Sequence, residues 1–162
     1  MFDIKESYER LLKSKEFLNK GIFCSAFIIC EPKDLENCDW QLDFYDKKDD
    51  KVTSYIVSEK IRVLEENSDM LKKNNNIKEI NINNLKINFK KVIKTVKEKI
   101  KSRKEIVTKL VIILQEDKTT LWNISSFTNN FNLLNLRINS KTGRIIEEKV
   151  VPLLSWDTGQ KV

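Results

Sequence analysis

Trp122–Glu148, reading WNISSFTNNFNLLNLRINSKTGRIIEE, decides the fold because an earlier stretch, Trp40–Glu66, reads WQLDFYDKKDDKVTSYIVSEKIRVLEE and lies on it without a gap. Trp40 falls on Trp122, Ile56 on Ile138, Ser58 on Ser140, Arg62 on Arg144 and Glu65-Glu66 on Glu147-Glu148. Repetition on this scale points to one supersecondary plan written twice. In the later stretch Trp122, Ile124 and Ser126 alternate onto one face of a strand, and Leu134, Leu136 and Ile138 alternate with Asn135, Arg137 and Asn139. Both runs have the period of two that a half-covered strand needs. Asn129-Asn130 suits a tight turn between them, and Gly143 supplies the left-handed residue of the next hairpin loop. The earlier stretch matches in outline: Trp40, Leu42 and Phe44 share a face, KKDDK turns, Val52–Val57 returns and Ile61–Leu64 follows. Trp40, Trp122, Ile56, Ile138 and Gly143 are the expected structural positions of the two copies.

Ahead of each copy stands an apolar run, and ahead of that a helix. Ile22–Cys30, IFCSAFIIC, is nearly unbroken, which marks a strand covered on both faces or central in its sheet. Ile106–Leu114 has the same character. Residues 3–19 carry Ile4, Tyr8, Leu11, Leu12 and Leu18 on one helical stripe, with Asp3 as N-cap and Gly21 at the C-terminal end. Phe89, Val92, Ile93, Val96 and Ile100 form a second stripe behind Asn88, a good N-cap. Between the copies, Asn67–Asn84 is polar and Asn-rich, the composition of a surface connection. The expectation is an α+β protein of two similar units, each one helix packed on an antiparallel sheet of about four strands. Residues 1–67 and 85–162 form the units, and 68–84 connects them.

The phrase Leu136–Ile146, LRINSKTGRII, with the helix from Asn88 and the strands around Leu110 and Trp122, resembles a PepSY domain. In that family a strand enters an Asp-x-x-Thr-Gly turn and leaves as another strand; here Asn139 stands for the Asp, and Asn makes the same side-chain turn. The first copy has Lys60-Ile61 where the motif has Thr-Gly. The resemblance implies a non-enzymatic module that binds peptide segments or restrains peptidases.

Composition narrows the chemistry. The chain has 162 residues, 40% of them hydrophobic and 33% charged, the balance of a folded globular protein. It contains no His, which removes Ser-His and Cys-His nucleophiles and the commonest zinc ligand. With Gly21, Gly143 and Gly159 its only glycines, no Gly-rich phosphate loop can form. Neither a cofactor, a metal nor a catalytic residue is expected. The odd set Cys24, Cys30 and Cys38 reads as small buried hydrophobes in a reducing compartment. No apolar run is long enough to span a membrane and the amino terminus is charged, so the expectation is a cytoplasmic monomer or homodimer.

Two charged features invite sharper readings. Asp43, Asp46, Asp49 and Asp50 lack the mid-loop Gly and ligand spacing of a calcium loop and read as a solvated hairpin tip. The net charge of +6 gathers between Lys86 and Lys104, where Glu98 is the one acid. Lys90, Lys94, Lys97 and Lys101 share one face beside the apolar stripe. They are a candidate partner surface, and otherwise the solvated flank of a packed helix. The function expected is protein or peptide binding through a sheet face or edge. The rival is a basic nucleic-acid-associated protein using residues 86–104.

Overall fold

The computed structural model describes residues 3–64 and 77–154. Chain order is α1 (Ile4–Leu12), β1 (Ile22–Cys30), a 3-10 helix (Pro32–Asn37), β2 (Trp40–Asp46), β3 (Lys51–Val57) and β4 (Ile61–Val63). After a second 3-10 turn (Ile82–Asn84) come α2 (Phe89–Ser102), β5 (Val107–Glu116), β6 (Thr120–Thr128), β7 (Asn132–Asn139) and β8 (Ile145–Pro152). An α+β protein with an antiparallel sheet is what results. The expectation of two units, each one helix on its own antiparallel sheet of about four strands, is overturned. All eight strands of the described residues form one sheet in the order β4-β3-β2-β1-β5-β6-β7-β8.

The sheet is continuous because the two apolar runs pair with each other. β1 and β5 run antiparallel from Ser25↔Gln115 to Cys30↔Leu110, at the centre of the sheet. Either run placed at an edge would leave a long row of backbone donors and acceptors unpaired beside apolar side chains, a template for aggregation. Pairing them satisfies both. Trp40 and Phe44 lie on one face of β2, where Tyr8 and Phe17 meet Phe44, and Phe89 of α2 meets Trp40 at 5.0 Å between ring centroids. Both helices therefore cover the same face. The core between helices and sheet holds Trp40, Trp122, Leu42, Leu114, Ile124 and Leu136, each at most 1% exposed.

Several local expectations need correction. The helix at the amino terminus ends at Leu12, not near residue 19, and Leu12 and Leu18 are exposed. KSKE after Leu12 offers no apolar face to continue the stripe, and Phe17 instead folds back onto Phe44 and Tyr55. Gly21 does not cap the helix. It has φ +79°, and a Cβ there would sit 2.5 Å from the Tyr45 carbonyl oxygen, so it serves the close approach of the chain to β2. Ile56 is not a core residue: Trp40 pairs with Val57, whereas Trp122 pairs with Ile138. The gapless alignment is one residue out by the return strand, and a slip of one turns a side chain to the other face. Val57 is accordingly buried and Ile56 half-exposed. In the β6–β7 turn the left-handed residue is Phe131, φ +57°, not Asn129 or Asn130.

The connection is also more than a surface crossing. Ile80 and Leu85 are each 3% exposed, and the Ile80 amide donates to the Phe23 carbonyl at 2.7 Å. Glu65-Glu66, residues 67–76 of the connection and Trp156 lie outside the described residues. The Asn139 turn forms as read. Asn139 Oδ1 accepts from the Lys141 and Thr142 amides, each at 2.9 Å, and Gly143 takes φ +75°.

Candidate functional site

α2 is anchored by one flank and open along the other. Asn88 Oδ1 caps it by accepting from the Lys90 amide at 2.7 Å, while Phe89, Val92, Ile93 and Val96 bury its apolar stripe. On one side Lys99 and Arg103 reach Glu148 of β8 at 2.8 and 2.6 Å. That pair of cations, Lys99 first, holds the Glu148 carboxyl below its ordinary range. Glu147 points to the opposite face, as neighbours on a strand must, and meets Lys149 and Arg137 there. The bond to Lys149 chiefly holds its carboxyl down as well. Glu147 and Glu148, on opposite faces, form no acid–base couple.

The other flank carries Lys90, Lys94, Lys97 and Lys101, and the structure brings all four to one groove. The 3-10 helix Pro32–Asn37 faces α2 across it and supplies Leu35 and Glu36; Asp3 also lines it. The space between measures about 890 Å³. Phe89, Ile93 and Leu35 make its apolar floor, and the lysines a cationic wall relieved by Glu36 and Glu98. Among the described residues none of the four lysines makes an ion pair, in contrast to Lys99 and Arg103. A cationic wall over an apolar floor suits an anionic ligand that also carries apolar groups. Sequence reasoning found the lysines through their helical spacing. It missed the opposing wall, since only Pro32 at the first helical position hints at that short helix.

The remaining candidates disperse. Trp40 and Trp122 are buried, 5.9 Å apart between ring centroids, with Phe89 against both. They are core residues and no stacking platform. Ile138 is buried beside them, and Gly143 is a turn residue whose nearest neighbour is Ile87. Asp43 leaves the hairpin tip altogether. It lies on the helix-free face of the sheet, 8% exposed, accepting from Ser25, Ser54 and Gln41 at 2.5, 2.7 and 2.9 Å. Asp46 caps the turn through the Lys48 amide and Asp50 accepts from the Tyr45 hydroxyl. Among the described residues no three Cys, Asp or Glu side chains gather as a metal site. Burial pushes the Cys24 thiol up to about 12, far from the range of a reactive thiolate. No described helix is long and apolar enough to cross a membrane.

The sheet edges offer less than the groove. β4 has three residues. β8 is longer, but a register shift lies between Arg137 and Ile138 on the strand it pairs with, and Glu147, Lys149 and Pro152 stand along it. Short length, irregularity, charge and proline are the usual devices against strand addition.

Neither a protein-family model nor a curated protein matches the chain. Among solved structures the chain is similar to that of a "putative lipoprotein" from Clostridium difficile 630, with a TM-score of 0.59 and 14% identity. The likeness covers 92% of this chain and 93% of that one, so the fold is shared along nearly all of both.

Proposed function

We propose that this protein is a non-enzymatic binding module that receives an acidic, partly apolar peptide segment of a partner protein in the groove beside α2. One observation carries the reading. Four lysines with no ion pair among the described residues line an apolar-floored channel, opposite a wall that the fold builds from a distant segment. Apolar anchors of the segment sit over Phe89, Ile93 and Leu35, and its carboxylates face the lysines. The cations steer the approach, and the floor slows departure. Nucleic acid fits the groove less well. Glu36 and Glu98 would face phosphates, and Phe89, 7% exposed, is too buried to stack on a base. The PepSY-like, duplicated origin read from the sequence belongs to this proposal too. It is supported by the strand order, which mirrors about β1 and β5, and by the two indoles on β2 and β6.

The test is fluorescence anisotropy with a short labelled peptide of Glu and Leu, at low and moderate salt. Reversing Lys94 and Lys97 together to Glu should weaken binding about tenfold or more, equivalent to ~1.4 kcal/mol. The same double reversal at Lys47 and Lys48, on the β2–β3 turn, should leave binding near the wild-type value. Equal losses in the two variants would reduce the effect to net charge and remove the groove. Retention of labelled oligonucleotides with no peptide binding would transfer the helix to the nucleic-acid reading.

A further inference from the structure

Two of the three cysteines meet at the neck of the loop that walls the groove. The β1–β2 ladder pairs Ser25 with Asp43, Ala26 with Leu42 and Phe27 with Gln41. Extended three residues beyond its last pair, Phe27 with Gln41, that register would bring Cys30 opposite Cys38, with the 3-10 helix Pro32–Asn37 between them. Both are free thiols, half-buried and packed against the same core. Cys38 Sγ donates to the Asp34 carbonyl at 3.1 Å, which fixes where its sulfur lies. Burial foremost raises both thiols, and each then feels the other, the contact adding to the rise at Cys30 and opposing it at Cys38. Opposed residues of an antiparallel pair have Cα atoms about 4.5–5.5 Å apart, inside the window of ~4.4–6.8 Å that a disulfide spans. Cys24 stays apart, buried at the β1 bulge with its thiol directed at the Asp43 carbonyl at 3.4 Å.

We propose that Cys30 and Cys38 form a dithiol–disulfide site, closed by exchange with a low-molecular-weight disulfide such as oxidised glutathione. The Cys38 thiolate attacks one glutathione sulfur. The glutathione S–S bond breaks, and one glutathione leaves as thiolate with the electron pair. Cys30, having lost its proton to solvent, then attacks the Cys38 sulfur of the mixed disulfide and expels the second glutathione. Two protons and two electrons pass from the protein thiols to the two glutathiones, and one protein S–S bond replaces two S–H bonds. Burial, foremost, pushes the Cys30 thiol up to about 12. The pair thus lacks the stabilised thiolate that makes a dithiol a strong oxidant, and the closed bond forms slowly and persists. The site stands independently of the peptide-binding reading, although the loop it closes carries Leu35 and Glu36 of the groove.

The experiment uses the wild-type chain under native conditions. The protein is held with excess oxidised glutathione at mildly alkaline pH, quenched with N-ethylmaleimide, denatured, and mapped by mass spectrometry after trypsin. Cleavage after Lys20 and Lys33 leaves Cys24 and Cys30 on one peptide and Cys38 on the next, so a closed bond joins two peptides, and fragmentation that locates the maleimide tells Cys24 from Cys30. The expected result is a Cys30–Cys38 cross-link, loss of two hydrogens from the chain, one remaining thiol at Cys24, and reversal by dithiothreitol. In Cys38→Ser the cross-link should vanish. Both thiols still alkylated at equilibrium, a lasting glutathione adduct on either, a bond to Cys24, or a bond between chains would each overturn the proposal.

Discussion

Trp40 and Trp122 sit on either side of the central β1–β5 pair, and their coupling measures whether the sheet behaves as one body. The rings are 5.9 Å apart and both touch Phe89, at 5.0 and 5.3 Å. Truncating a buried Trp to Ala costs about 3–5 kcal/mol. Two such losses would approach the ~5–15 kcal/mol that holds a whole domain. Leu is therefore the better replacement, since it keeps part of the volume and costs about 2–3 kcal/mol per site on the same scale. A tilted aromatic pair contributes about 0.5–1.5 kcal/mol beyond its buried area. Once either ring is gone the pair no longer exists, so the second replacement should cost less by about that amount. The measurement is urea unfolding of wild type, Trp40→Leu, Trp122→Leu and the double variant. Far-UV circular dichroism should follow it, because the substitutions remove the two buried indoles and leave only Trp156. A single transition with a coupling of about 1 kcal/mol is expected. Strict additivity within ~0.3 kcal/mol, or two separate transitions, would refute a shared core.

Two further perturbations test the local arguments. Gly21→Ala should cost about 2–4 kcal/mol, because positive φ and a backbone clash at 2.5 Å act together. Gly143→Ala should cost only about 1 kcal/mol, because its added Cβ would meet the movable Ile87 side chain at 3.4 Å; equal losses by thermal melting would undo the distinction. Glu148 has a depressed carboxyl in the folded state, so its stabilisation is present above the unfolded value near pH 4.3 and lost as pH falls through the folded one. Glu148→Gln should lower stability at pH 7 by about 0.5 kcal/mol, discounted for its partial exposure, and match wild type in strong acid; a gap that persists in acid would assign the loss to packing.

Much of the molecule was legible before its coordinates. Ile22–Cys30 was bounded as a strand to the residue, because a β-rich apolar run between Gly21 and Pro32 has few other uses. Asn88 and the stripe behind it marked α2. Trp40 and Trp122 were read as core, and they are. What failed turned on contacts between distant segments. Ile56 was placed inward by an ungapped alignment, and only the pairing of Trp40 with Val57 corrects it. Of the groove, the lysine wall was visible as a periodicity. The facing wall was not, because Leu35 and Glu36 meet α2 from more than fifty positions away.

Local pattern alone determined where most strands and α2 lie and most of the faces they bury, since alternation, helical spacing, caps and turn residues act within a few positions. The tertiary structure decided that β1 and β5 join eight strands into one sheet, and which side chains face each other across the groove and the Cys30–Cys38 neck. Strand joining depends on backbone hydrogen bonds, which are nearly blind to side-chain identity, so no residue pattern announces it.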